Sequence, residues 1–368
     1  MVENYIPMLE KFEELKKVLQ NIKKGEKILI IADNDPDGVT SAFIFCRLLE
    51  KFGFEYKKEF FCMFTEHDFR GQIKNQPETQ KQIAQHKYIF LLDMSMDDYS
   101  FLQDSYICVI DHHKADQEVN LLINPMYDDD LKSKPNCSAS ALVYCAYRYI
   151  FGNDKLLQKI AFSGALADWF VIGSLPYLNV DINNEEYFVN SGQILPPLSI
   201  LLPIYSNLST EKFGADWVLE RMLNNVKIDL KAIVILPEEF YKEYNKYKKR
   251  LIKRMQTIFD NAEIFNNTII LELTSKDRKF KPAIQDNLEV IYSSSTRFVF
   301  FENKKEKGYQ ASCRSKDYDL VKLIEFLKTE CKTLFGGGHS VAVGFFVKKK
   351  EFEKCKKLII ENIDKFRK

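Results

Sequence analysis

Lys27-Ile28-Leu29-Ile30-Ile31-Ala32 runs straight into Asp33-Asn34-Asp35-Pro36-Asp37-Gly38, and this junction decides how the chain reads. The first half has the near-continuous apolar character of a strand covered on both faces in a parallel sheet. The second half sets three carboxylates, Asp33, Asp35 and Asp37, at alternate positions. Mutual repulsion and desolvation oppose burying them unless a cation compensates. An acidic turn is the plain alternative, because Asp, Pro and Gly are all turn formers. An EF-hand loop does not fit, since its downstream bidentate Glu and flanking helices are missing.

The same junction of apolar run and acid recurs downstream. Tyr88-Ile89-Phe90-Leu91-Leu92 ends in Asp93, and Tyr106-Ile107-Cys108-Val109-Ile110 ends in Asp111-His112-His113. Helical patterns over 8–23, 39–52, 139–151 and 156–168 alternate with these strands and predict a mostly parallel α/β sheet. In such sheets ligands gather at the carboxyl ends of the strands, so the acids at those ends are expected to converge. A lone Asp93 also suits a helix N-cap. Two adjacent histidines beside an Asp are notable in a chain with five His. Imidazole and carboxylate together suit a transition metal such as Mn. Asp168, in Ala165-Leu166-Ala167-Asp168-Trp169, sits in an apolar helical context and needs a partner, for which a metal serves.

At 368 residues with 46% apolar content, the chain predicts two domains with sizeable cores. Its 53 basic and 52 acidic residues leave a formal charge of +1, which gives no global case for nucleic acid. The eight cysteines are scattered without a CxxC pair, so a zinc ribbon or disulfide framework is not expected. No secretory signal and no membrane span is read, which predicts a cytoplasmic protein. Gly192 to Tyr205 is apolar but too short and broken by proline. After Gly173 and Pro176 the pattern weakens, and the region of about 174–235 matches no interpretable motif. Helical character returns over Glu211 to Asn224.

The reading divides the chain into a catalytic domain (1–235), a long charged linking helix (236–263) and a smaller α/β domain (264–368). In the last, Asn267 to Leu273, Arg297 to Glu302 and Tyr309 to Arg314 read as strands, and Leu320 to Glu330 and Lys350 to Phe366 as helices. Phe335-Gly336-Gly337-Gly338-His339 precedes an apolar strand. Its glycines free backbone amides to approach an anion, and His339 can donate to a phosphate. A flexible linker is the alternative. Arg314 closes a strand and could hold a phosphate with two hydrogen bonds. The Lys-rich stretches Lys242 to Lys253 and Lys304 to Lys307 read as solvated faces.

Taken in order, these elements resemble the DHH phosphoesterase family. Asp111-His112-His113 is similar to its name-giving motif. The Asp-x-Asp-x-Asp-Gly loop, Asp93 and Asp168 are similar to its other catalytic motifs. The glycine run with His339 resembles the family's associated C-terminal domain. The resemblance implies a two-domain fold with the active site facing an inter-domain cleft, and two Mn or Mg ions. It implies metal ligands at Asp33, Asp35, Asp37, Asp93, His113 and Asp168, with Asp93 bridging. His112 is implied to be a ligand or to touch the scissile phosphate. His339, Arg314 and the amides of Gly336, Gly337 and Gly338 are the implied phosphate clamp.

Asp33, standing where short-oligonucleotide and cyclic-dinucleotide hydrolases usually carry His, is similar to the RecJ-type single-strand exonucleases. At this length the additional OB-fold of bacterial RecJ is not expected, and with it the processive grip on long single strands. The expectation is therefore a metal-dependent exonuclease on single-stranded DNA or RNA, with a place in DNA repair. A hydrolase of short oligoribonucleotides or of nucleotides (phosphoadenosine phosphate, cyclic dinucleotides) is the second reading. A binding protein associated with replication or repair proteins is the third.

Overall fold

A computed structural model describes residues 6–65, 77–96, 99, 102, 104–113, 119–168, 170–180, 214–225, 238–280, 284, 288, 292 and 294–368. The chain divides into two compact units, Met1–Pro237 and Glu238–Lys368. Most of the 174–235 region lies outside the described residues.

The first unit is built on five parallel strands: β1 (Ile28–Asp33), β2 (Phe60–Thr65), β3 (Tyr88–Leu92), β4 (Tyr106–Ile110) and β5 (Leu121–Ile123). Their order is β2-β1-β3-β4-β5. Both faces of the sheet are covered, which is why the strands read as unbroken apolar runs. Ile28, Ile30, Phe90, Leu92, Cys108 and Ile110 enter one core with α1 (Leu9–Asn21), α2 (Pro36–Lys51), α4 (Ala139–Phe151) and α5 (Lys155–Ala167). Leu29, Ile31, Ile89, Leu91, Ile107 and Val109 enter the opposite core, with Ile83 of α3 (Pro77–Ile83). Each such side chain contributes about 1.5–3 kcal/mol, and a slip of one residue would exchange the faces.

This strand order creates a switch point. The chain leaves β1 toward β2 and leaves β3 toward β4, in opposite directions. A crevice therefore opens at the carboxyl ends of β1 and β3, where Asp33 and Asp93 stand.

The helix after β1 starts earlier than its apolar pattern, at Pro36 rather than Val39. Asp35 supplies the N-cap and Pro36 pre-sets the first turn, so the acidic motif is half strand end and half helix. α2 is buried almost all round between the sheet, α4 and α5. Two strands of this unit have no counterpart in the sequence analysis. β2 is only partly buried along its middle, and β5 has three residues.

The second unit holds a six-stranded mixed sheet. β6 (Glu263–Phe265), β7 (Thr268–Leu273), β8 (Thr296–Asn303), β9 (Gly308–Arg314), β10 (Phe335–His339) and β11 (Ala342–Lys348) follow the order β10-β11-β9-β8-β7-β6. Of these neighbours, β7 and β8 pair in parallel and the others antiparallel. One face packs Phe298, Phe300, Cys313, Val343 and Phe345 against the helices Leu320–Glu330 and Lys349–Asn362. The other buries Ile269, Leu271, Val299 and Phe301 against Met255 and Ile258 of the long helix Glu238–Asp260. That helix belongs to the second unit. Arg254 holds the buried carboxylate of Asp277 through both of its oxygens, which ties the helix to the turn after β7.

The glycine run is itself a strand, paired antiparallel with β11 at the edge of the sheet. Gly336 and Gly338 adopt φ of +148° and +145°. A Cβ there would lie 2.3 Å from the Gly344 carbonyl oxygen and 2.4 Å from that of Ala342. These two glycines are needed for the backbone to lie against β11. A Cβ on Gly337 meets nothing within 4 Å. Among the described residues no helix is long and apolar enough to cross a membrane.

Candidate metal centre

Asp33 closes β1 and is buried; its Oδ1 accepts the Asn34 amide at 2.7 Å. Asp35 caps α2 by accepting the Gly38 amide at 2.9 Å. Asp37 is fully buried and serves a different helix. Its oxygens accept the amides of Ala139 (2.7 Å) and Ser140 (3.1 Å), the first residues of α4. Unpaired amides and the helix dipole at that terminus favour a carboxylate. Each oxygen keeps a lone pair for a further partner. The approach is tight: a Cβ on Gly164 of α5 would lie 2.7 Å from Asp37 Oδ1 and 2.3 Å from Thr40 Oγ1.

Asp93 follows β3 with φ 57°, a left-handed conformation that Asp tolerates better than most residues. Its amide donates to the Ile110 carbonyl at 2.9 Å, tying it to β4. Asp111 follows β4 and acts as a hub, although the sequence reading assigned it no role of its own. Its Oδ1 accepts the His112 amide and His113 Nδ1–H, both at 2.8 Å. A carboxylate on Nδ1 leaves the Nε2 lone pair of His113 for a metal.

His112 is 1% exposed. Its Nε2 stands 3.1 Å from Asp93 Oδ1, 3.3 Å from Asp168 Oδ2 and 4.0 Å from Asp37 Oδ2. Asn136 sits behind the ring. Asn136 Oδ1 accepts the Cys137 amide at 3.1 Å, which turns Nδ2 toward His112 Nδ1 and the His112 carbonyl, both at 3.2 Å. In the neutral ring Nδ1 is then the acceptor and the proton sits on Nε2, facing the carboxylates. No motif points to Asn136, and only its position in space reveals it. Asn124 is a second such residue; its Nδ2 donates to the His113 carbonyl at 2.7 Å. Asp168 ends α5 as its C-cap.

These side chains form three overlapping sets of donors. Asp33, Asp35 and Asp93 make one, Asp37, Asp93, His112 and Asp168 another, and Asp93, Asp111, His112 and His113 the third. In each, one donor atom per residue lies within 4.8 Å of the others. Asp93 belongs to all three sets and His112 to two of them. The donor chemistry of carboxylates with imidazole fits Mn or Mg. The sequence-expected Asp33, Asp35, Asp37, Asp93, His112, His113 and Asp168 are thus brought together, and Asp111 joins them. Arg314 and Gly336 to Gly338 lie in the second unit.

The electrostatics agree with a site built for cations. Burial, and then the neighbouring carboxylates, push Asp35 and Asp93 well above the ordinary carboxylate range. Burial and Asp168 raise Asp37 to about 6, against the pull of His112 and Ser140. Burial works against a charge on His112, but the hydrogen bond with Asp168 and the surrounding acids outweigh it and raise the ring to about 9. That charged state conflicts with the neutral tautomer set by Asn136. The excess of carboxylates holds the second proton, and the Asn136 geometry is the arrangement suited to a site whose negative charge is balanced.

A pH dependence follows. Groups raised in the folded chain contribute stability below their unfolded pKa and lose it as pH rises through the folded value. The metal-free chain is therefore destabilised by this cluster above about pH 6, where Asp37 gives up its proton. Bound cations must displace those protons, so affinity increases with pH. The expected result is a Mn-induced rise in Tm that is larger at pH 8 than at pH 5.5. At a fixed metal concentration, the corresponding stabilisation is about 2.7 kcal/mol at the pH where free metal is a hundredfold above Kd. Calorimetric titration in buffers of different ionisation enthalpy should register proton release. Equal increments at the two pH values would contradict the charge balance described above.

Residues 27–173 match the DHH family, N-terminal domain. No curated protein matches the chain by sequence. Among solved structures, RecJ from Thermus thermophilus in complex with Mn2+ is similar at TM-score 0.71 and 16% identity, over 99% of this chain and 56% of that one. The chain thus spans little more than half of that protein. Exonuclease RecJ bound to manganese is similar at 0.60 and 18% identity, over 97% and 94%. A pGpG-specific phosphodiesterase from Vibrio cholerae is similar at 0.52 and 11% identity, over 93% and 100%. At these identities the likeness is one of fold.

Proposed function

We propose, from the DHH family N-terminal domain that residues 27–173 form, that this chain is a two-metal phosphodiesterase acting as a RecJ-like exonuclease on single-stranded nucleic acid. The observation that carries the reading is the presence of Asp93 in all three donor sets. In this reading Asp33, Asp35, Asp37, Asp93, His113 and Asp168 hold two Mn or Mg ions. When bound, such ions polarise phosphoryl oxygens and lower the pKa of water toward neutrality. His112, with its Nε2–H set by Asn136, donates to a non-bridging oxygen of the scissile phosphate and steadies the charge developing there. Asp111 keeps His113 in its ligating tautomer. Arg314, His339 and the backbone of Gly336, Gly337 and Gly338 hold another phosphate of the strand. An exonuclease of this kind would belong to DNA repair and meet repair or replication proteins.

A second reading, hydrolysis of short oligoribonucleotides or nucleotides, draws support from the likeness to the Vibrio phosphodiesterase along that protein's whole length. The deciding experiment is a digest of end-labelled DNA and RNA of graded length with Mn2+ or Mg2+, resolved by product size. Stepwise release of mononucleotides from long strands is expected. Cleavage of the shortest substrates alone would move the assignment to the second reading. Binding of long strands without hydrolysis of any substrate would leave a binding protein.

A further inference from the structure

Strand register in the second unit lines up residues that sequence spacing scatters. His339, Ala342, Arg314 and Arg297 form one row across β10, β11, β9 and β8. Gly337, Gly344, Ser312 and Val299 form the next row, and Phe335, Phe346, Gln310 and Phe301 the one after. Side chains two apart along a strand share a face, and so do residues opposite in register. All three rows therefore belong to one face. Over β8 this face is buried by Val299 and Phe301. Over β10 and β11 it is exposed at Phe335, Gly337 and Gly344, while Phe346 beneath Phe335 is buried. Gly337 and Gly344 are exposed, and a Cβ on either would have ample room.

The open part is a flat floor of glycine backbone with different chemistry at its two ends. Arg314 is exposed at one end. At the other, Phe335 is 64% exposed, with its ring centroid 5.2 Å from that of Phe346. Lys348 Nζ lies 5.4 Å from the centre of the Phe346 ring. Ala342 to Phe346 is four residue steps, about 13 Å of strand.

From this arrangement we infer that Phe335, backed by Phe346, is a nucleobase-stacking residue. The face from Phe335 across Gly337 and Gly344 to Arg314 holds one stretch of single-stranded nucleic acid. The inference deepens the nuclease reading and rests on it. Arg314 at one end complements a phosphodiester chain, as does Lys348 at the other, whose Nζ also donates to the Glu306 carbonyl at 2.9 Å, and an exposed ring is the element that accepts any base by its π-face. A protein partner fits the middle of the floor poorly, since glycine backbone and Ser312 present few side-chain atoms there. The bulk of Phe335 on an edge strand, where an exposed aromatic is otherwise a liability, also has a use in this arrangement.

The test compares the full chain, carrying Asp93→Asn so that substrate survives, with the same chain further changed at Phe335. The probes are fluorescent single-stranded DNA and an abasic oligonucleotide of equal length and charge, followed by anisotropy. Phe335→Ala should weaken binding of the base-bearing strand roughly tenfold and leave the abasic strand unchanged, while Phe335→Trp should bind the base-bearing strand as the parent does. Equal loss for both probes, or no loss for either, overturns the inference. The parent chain with Asp93 intact is assayed alongside for hydrolysis of the same DNA. Hydrolysis that survives beside a Phe335→Ala variant with unchanged discrimination removes the stacking role alone. Absence of both binding and hydrolysis in the parent removes the nuclease reading, and the inference with it.

Discussion

Asp93→Asn is expected to reduce phosphodiester hydrolysis by about 10³-fold or more, while the metal-free chain becomes more heat-stable than the parent. The two effects have one cause. Asp93 is fully buried among Asp33, Asp35, Asp37 and Asp168, and burial together with their charges holds its pKa well above the carboxylate range. Amide in place of carboxylate removes that repulsion, so stability rises when no cation is present. It also removes the one donor common to all three sets, so the Mn-induced gain in Tm should shrink. Asn is the proper replacement because the residue adopts φ 57°, which Asn tolerates as Asp does. Asp93→Ala would add backbone strain on the order of 1 kcal/mol and blur the stability readout. Thermal melts in EDTA and in Mn2+, alongside hydrolysis rates, measure both halves. Parental hydrolysis by Asp93→Asn would reject the metal centre.

The second large effect is expected at Gly38, a residue with no side chain to contribute. A Cβ there would stand 2.2 Å from the Asp33 carbonyl oxygen and 2.8 Å from its carbon. Those are backbone atoms at the end of β1 and cannot rotate away. In Gly38→Ala the first turn of α2 must therefore move off the strand, and with it the Asp35 carboxylate that accepts the Gly38 amide. Overpacking of this kind costs about 1–3 kcal/mol. A misplacement near 1 Å at a reacting centre costs about 10²-fold in rate. Gly25→Ala is the control. Its φ is +93°, but a Cβ meets nothing within 4 Å, so it should lower stability modestly and leave the rate alone. Chemical denaturation and hydrolysis assays read both variants. Gly38→Ala with the stability and rate of the parent would mean that the close packing of α2 on β1 has no functional weight.

Several outcomes separate what neighbouring residues dictate from what packing dictates. The acids at strand ends were legible because strands buried on both faces must be continuous apolar runs, and Asp33, Asp93 and Asp111 break three such runs at the same point. The DHH resemblance rested on the same residues, and the match over 27–173 supports it. The apolar pattern places the start of α2 at Val39, later than Pro36, because Asp-Pro-Asp-Gly suits a turn as well as a helix N-terminus. Only the docked helix distinguishes them. The glycine run was read as an anion cradle before a strand. Pairing with β11 makes it a strand, because the sheet supplies hydrogen bonds that the local sequence cannot.

The sequence by itself determined the alternation of strand and helix, the carboxyl-end positions of the acids and the residue types that suit a divalent cation. These follow from backbone preference and apolar periodicity, which act between near neighbours. The tertiary structure alone decided that Asp37 caps α4 from 102 residues away, that Asp111 orients His113, and that Asn136 sets the His112 proton. It alone placed Phe335 and Arg314 on one open face of the second sheet. Those relations depend on distances between groups far apart along the chain, and packing of the two cores, not local propensity, sets such distances.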